Sequence, residues 1–182
     1  MIRRKYQKAR AWPFRAPAKR YYIAHVDANP DLDPTGEFLP YVLQQQSNAN
    51  VLGVLLKSKD SSEKETLENA LNYWVHYLRT GHKPESTAAP KEIALLTSKD
   101  VLVELMVKTP SGDKSYALTD SGFGYSQVLP ILVRGLLAEA GSTLIVEQPE
   151  LHLNPALQVR LADFFVHMMR SGKQVLLETH SE

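Results

Sequence analysis

Thr143-Leu144-Ile145-Val146-Glu147-Gln148-Pro149-Glu150 is an apolar run that ends in an acid, an amide, a proline and a second acid. Its β-branched and leucine content predicts a fully buried strand over residues 142–146, and Pro149 forbids continuation because proline brings no N–H to a ladder. Glu147 is thereby placed at the carboxyl end of a strand, the edge where α/β sheets hold their ligands.

Working outward, Asn154-Pro155 reads as a helix N-cap followed by a first-turn proline. Leu157, Leu161, Phe164, Phe165, Met168 and Met169 then recur at helical spacing until Gly172. Residues 174–179 form a second apolar strand that delivers His180. A strand, a helix and a strand make a βαβ unit, and a crossover by a whole helix makes its two strands parallel. Glu147 and His180 are therefore expected at one edge of one sheet. On the upstream side, Asp120-Ser121-Gly122-Phe123-Gly124-Tyr125-Ser126-Gln127 reads as a glycine-rich turn that opens a helix running to about Ala140. Free backbone N–H groups at such a helix start suit an oxyanion such as phosphate. Pro130 fits a helix start better than a helix middle.

The order of these pieces resembles the second half of an ABC-type ATPase domain, in particular the SMC/RecF-like branch that includes the overcoming-lysogenisation-defect proteins and related ATPases of prokaryotic defence systems. In that resemblance Gly124-Tyr125-Ser126-Gln127 corresponds to the signature loop and residues 144–147 to the Walker B strand. Residues 149–155 correspond to the D-loop, and His180 to the switch histidine. The resemblance covers residues 120–182. It implies a P-loop-NTPase-like parallel sheet, with ATP and Mg²⁺ as cofactors. Glu147 would hold Mg²⁺, and Gln148 would orient the attacking water. Glu150 would serve as reserve base, His180 would contact the γ-phosphate, and Gly122, Gly124, Ser126 and Gln127 would bind the nucleotide of a facing subunit in a homodimer. Arg15-Ala16-Pro17 and Gly36-Glu37 echo the same family ahead of a helical insertion.

Two departures bear on the chemistry. The family carries an acid after the Walker B acid, and here that position is Gln148, which can orient water but cannot accept its proton. No G-x-x-x-x-G-K-[ST] loop occurs in these residues either, since Lys57-Ser58 is preceded by Leu56. The chain is thus expected to be the carboxyl-terminal part of an ATPase whose Walker A lobe lies elsewhere, in the same gene or another chain. Its last residues, His180-Ser181-Glu182, directly follow a strand. Two other classes remain: a scaffold or regulatory half-domain that associates without turnover, and a metal-dependent hydrolase using Glu150, His152 and His180.

The rest of the chain frames this part. With 182 residues and 43% hydrophobic content it has material for one core and an appended subdomain. The net charge of +1 names no partner, and zero cysteines exclude a disulfide framework and fit a reducing cytoplasm. No apolar run approaches the roughly 20 residues of a membrane span. From Met1 to Tyr22 the chain is basic and aromatic without an acid. That composition suits binding to DNA or RNA, or, more plainly, an edge segment with inward aromatics and solvated cations.

Residues 27–40 read as a loop, and residues 38–46 and 51–56 as short helical pieces. Residues 62–79 read as a helix with a Ser62/Glu65 capping box, an apolar stripe through Leu67, Ala70, Leu71, Trp74, Val75 and Leu78, and Gly81 as its stop. His76 falls off that stripe and is expected at the surface. A polar linker at residues 82–91 suggests a division into 1–90, basic segment plus helical insertion, and 91–182, the motif-bearing lobe. Residues 101–108 and 115–118 form a β-hairpin leading into the glycine turn. The expected fold is α/β: a parallel sheet lobe in the carboxyl-terminal half, an antiparallel hairpin and a helical insertion.

Overall fold

The structure, a computed structural model of the chain, describes residues 8–11, 19, 22–23, 35–52, 64–84, 90–98, 102–108, 114–120 and 123–180. Its elements in chain order are β1 (Lys8–Ala11), β2 (Tyr22–Ile23), α1 (Leu39–Gln46), β3 (Asn50–Leu52), β4 (Lys64–Thr66), α2 (Leu67–Thr80), β5 (Ile93–Ser98) and β6 (Leu102–Lys108). There follow β7 (Ser115–Ala117), a 3-10 turn at Leu118–Asp120, α3 (Phe123–Leu137), β8 (Thr143–Glu147), α4 (Pro155–Arg170) and β9 (Gln174–Glu178). This is a mixed α/β arrangement.

The βαβ unit forms as its residues dictate. Asn154 caps α4 by accepting the Leu157 N–H at 2.9 Å, and Pro155 stands in the first turn. The helix buries Leu161, Phe164, Phe165 and Met168, while Met169 stays half exposed. β8 and β9 pair in parallel from Thr143↔Gln174 to Glu147↔Glu178, and β1 joins β8 in parallel on its other side, giving the order β1-β8-β9.

One expectation about this sheet is corrected. Leu144 and Val146 are fully buried, but Thr143, Ile145 and Glu147 on the opposite face are only partly covered. On β9 Leu176 is 58% exposed and Leu177 45%. Alternation in a strand places Leu176 and Glu178 on the face of Ile145 and Glu147, and the Thr143 hydroxyl bonded to Gln174 confirms the shared face. The apolar run reads as buried on both sides because composition cannot say which face a neighbouring layer covers. Here α3 and α4 cover one.

The second sheet is antiparallel. β6 pairs with β5 along its whole length on one side, and with β2 and then β7 on the other. The β6–β7 pairing is the expected hairpin, whereas β5 lies in a stretch where no element was expected.

The helical region departs from expectation at its start. Residues 64–66 form strand β4, paired antiparallel with β3, so Val51 belongs to a strand rather than a helix. Thr66, not Ser62, caps α2 by accepting the Asn69 N–H, and Glu65 lies in the strand. Extended backbone at Lys64–Thr66 rules out the capping box, whereas Gly81 does end α2 in the left-handed conformation (φ +78). The expected apolar stripe is buried in full. His76 is not a free surface residue: its Nδ1 lies 2.6 Å from Glu92 Oε1, which also pairs with Arg79 Nη2 at 2.6 Å.

α3 begins at Phe123, earlier than the glycines suggest, and Pro130 stands inside it. One apolar cluster runs from Leu39 through Trp74 and Leu105 to Met168, so described residues on both sides of the 90/91 division share it. Trp74 and Phe164 meet edge to face with centroids 5.1 Å apart. α3 crosses α4 closely at Gly135, where a Cβ would stand 2.7 Å from Phe164 Cζ.

Candidate functional site

The site grows from the ends of β8 and β9. Glu147 closes β8 in register with Glu178, and the Gln148 N–H extends the ladder by one rung to the Glu178 carbonyl at 2.7 Å. There the chain turns. Gln148 adopts φ +46, an uncommon conformation for a side-chain-bearing residue, and its carbonyl accepts the Leu151 N–H at 3.2 Å. The Glu150 carbonyl accepts the Leu153 N–H at 3.0 Å, His152 takes φ +62, and Gln158 Nε2 donates back to the Leu153 carbonyl at 2.9 Å. Residues 148–154 are therefore a stitched double turn leading into the α4 cap.

Glu150 links this turn to the other strand. Its Oε1 accepts the His180 backbone N–H at 2.9 Å. Burial pushes its carboxyl pKa up, but hydrogen bonding led by that N–H, aided by the His180 ring, outweighs burial and holds it below the ordinary carboxylate value. Glu150 is thus ionised at neutral pH. Beside it a cleft of about 150 Å³ opens between α4 and β9, lined by Pro149, Gln158, Phe165, Leu177 and Thr179.

The start of α3 abuts the same loop. A Cβ on Gly124 would stand 3.6 Å from Leu153 Cδ2 and 3.9 Å from the His152 carbonyl. Ser126 and Gln127, expected in an open turn, lie within α3 and are 8% and 3% exposed. The reason is local: Phe123–Gln127 is already helical, which turns part of the segment inward. Gly122 lies outside the described residues.

The structure therefore brings Glu147, Gln148, Glu150 and His180 to one sheet edge and sets Gly124 against the intervening loop. It does not assemble the metal-hydrolase alternative. Among the described residues no group of three or more His, Asp or Glu side chains could hold a metal ion, and Glu150, His152 and His180 are no exception. Glu178 also stands level with Glu147, a register that the parallel direction of a βαβ unit does not by itself fix.

For Mg²⁺ the donor chemistry fits in kind. Glu147 supplies hard carboxylate oxygen at a strand end, and Mg²⁺ is commonly held by one or two carboxylates plus substrate phosphates. Of the basic amino-terminal segment, Tyr22 packs with Tyr41 and Val103, and Lys19 pairs with Glu37 at 2.6 Å. β1 enters the sheet by its backbone, and the remainder of that segment lies outside the described residues. Among the described residues no helix is long and apolar enough to cross a membrane. No curated protein matches the chain. A family model described as AAA ATPase domain matches residues 24–182. With most of its length matched, the chain belongs to the AAA ATPase domain family, whose members are nucleotide-binding ATPases.

Proposed function

We propose that the chain is the signature, Walker B and switch-histidine part of an SMC-like, ABC-type ATPase head with a P-loop-NTPase-like fold. The observation carrying this reading is the meeting of Glu147, Gln148, Glu150 and His180 at the carboxyl edge of two parallel strands. Glu147 would hold Mg²⁺ and Gln148 would orient the attacking water. His180 would reach the γ-phosphate, and the segment from Gly122 to Gly124, where α3 starts, would meet a nucleotide held by a facing copy, with Ser126 and Gln127 buried behind it in α3. Bound Mg²⁺ would draw charge from the terminal phosphate and so ease its transfer. The Walker A lobe is supplied by another segment or chain, because these 182 residues contain no such loop.

The isolated chain should accordingly show no ATP affinity in the micromolar range by calorimetry. In a complete enzyme, Glu147→Gln should weaken Mg²⁺-dependent nucleotide binding and abolish steady-state turnover. Intact binding and turnover in that variant would remove the Walker B assignment.

A second reading, a switch that dimerises with ATP and barely turns over, is favoured by Gln148 at the usual base position. Gln148→Glu separates the two. A hydrolase should turn over before the change and keep or gain rate after it, whereas a switch should dimerise with ATP on sizing but turn over very slowly until an acid stands at position 148. If the segment Met1 to Tyr22 contacts DNA or RNA, affinity should fall steeply with salt through counterion release.

A further inference from the structure

In a parallel ladder, donors facing the neighbouring strand alternate along each strand. On β9 the Glu178 carbonyl already receives the Gln148 N–H, so the next donor facing β8 is the His180 N–H, and its regular acceptor would be the Gln148 carbonyl. That carbonyl is engaged elsewhere. The left-handed turn at Gln148 aims it at the Leu151 N–H, and Pro149 cannot continue the strand. The vacant rung is filled by a side chain: Glu150 Oε1 accepts the His180 N–H at 2.9 Å.

We infer that Glu150 is a positioning residue, a carboxylate that stands in for the missing ladder rung and fixes the backbone of His180 against the loop after β8. In its catalytic consequence this rests on the ATPase reading proposed above. It assigns Glu150 a role different from a reserve base. A base must turn one oxygen to the attacking water and hold a pKa near working pH; here Oε2, the oxygen not bonded to His180, is buried without a partner, and the carboxyl pKa is held low. One Glu150 oxygen is committed to a main-chain donor, and hydrogen bonding keeps the group ionised. The bond also joins the two motifs mechanically. Gly124 rests against the same loop, so a movement at the start of α3 reaches His180 through residues 150–153 rather than through the sheet.

The test has two arms. In the 182-residue chain, amide hydrogen exchange at His180 should quicken by about 10-fold or more in Glu150→Ala, because the donor loses its acceptor. In Glu150→Gln it should change by less, since the amide oxygen still accepts. The Gln148 amide, bonded to the Glu178 carbonyl, is the control and should keep its protection in both variants.

In the complete ATPase, Glu150→Ala should lower kcat between about 10- and 100-fold with little change in nucleotide KM, the range expected when a reacting group is displaced by about an ångström. Glu150→Gln should recover most of that loss. Equal loss in Glu150→Gln and Glu150→Ala would make Glu150 the base and overturn the inference. Unchanged His180 exchange in Glu150→Ala would overturn it as well. Absence of turnover in the wild type, with the exchange effect intact, would instead overturn the ATPase reading and leave the backbone latch standing.

Discussion

The two faces of β8 teach different lessons from one strand. On one side Leu144 and Val146 are sealed beneath the helices and lie in the same cluster as Trp74, Phe164 and Met168. On the other side Thr143, Ile145 and Glu147 look out beside Gln174, Leu176 and Glu178 of β9, and Leu176 is exposed. The covered face holds the fold together through apolar burial. The open face carries the acid at its end and leaves apolar surface beside it, which suits a further layer such as the Walker A lobe proposed above. Stability and chemistry are thus separated by the pleat of a single strand, and substitutions should sort by face.

The largest effect is expected under the helices. Phe164→Ala should lower unfolding free energy in a denaturant titration by about 3–5 kcal/mol, since the ring is fully buried against Trp74. Ile145→Ala on the open face should cost less than about 1 kcal/mol. Equal costs would show that the second face is also sealed.

Next comes Lys173, buried at the helix layer with Nζ donating to the Gly135 carbonyl at 2.7 Å. Burial lowers its pKa from 10.5 to about 8. Because the unfolded chain then binds more protons between about pH 8 and 10.5, the contribution of this group to stability rises with pH across that window. Lys173→Met should remove that rise and stabilise the chain near pH 7, by at most about 3 kcal/mol. Identical pH slopes in the two proteins would refute the burial of a charged amine there.

A smaller loss, about 1–3 kcal/mol, is expected for Gly135→Ala, whose methyl would press on the Phe164 ring. If stability is unchanged, the helices are not packed as closely as the covered face requires. The smallest belongs to the rim between the faces. Asn154→Ala should cost about 1 kcal/mol through the lost α4 cap, read as a small fall in Tm.

Much of this was legible in the residues. The α4 stripe, the Asn154-Pro155 start, the Gly81 stop and the parallel direction of β8 and β9 follow from periodicity, capping chemistry and the helical crossover. The site edge followed with them, since a βαβ unit must return Glu147 and His180 to the same side.

What escaped has identifiable causes. Lys64-Glu65-Thr66 looks like the start of α2 because a capping-box pattern and a short edge strand share polar residues. Gly122, Gly124 and Pro130 together suggest an open turn, yet α3 starts at Phe123 and accommodates Pro130 within it. Ile145 and Leu176 carry the signal of a core while lying on the open face, and Leu177, on the helix side, stays exposed beside the cleft at α4. The Glu150 bond to His180 has no local pattern at all, because it depends on how two strand ends are staggered.

The pairing of β1 with β8 sets Lys8 opposite Thr143, so about three quarters of the chain lies between partners in one sheet. Such non-local pairing slows folding, because the entropy of closing the intervening chain must be met before the contact forms. During synthesis β1 emerges early and cannot pair until β8 has left the ribosome. In that interval the hairpins, α1 and α2 can form from nearer neighbours, and the edge that will carry Glu147 is the last to be assembled.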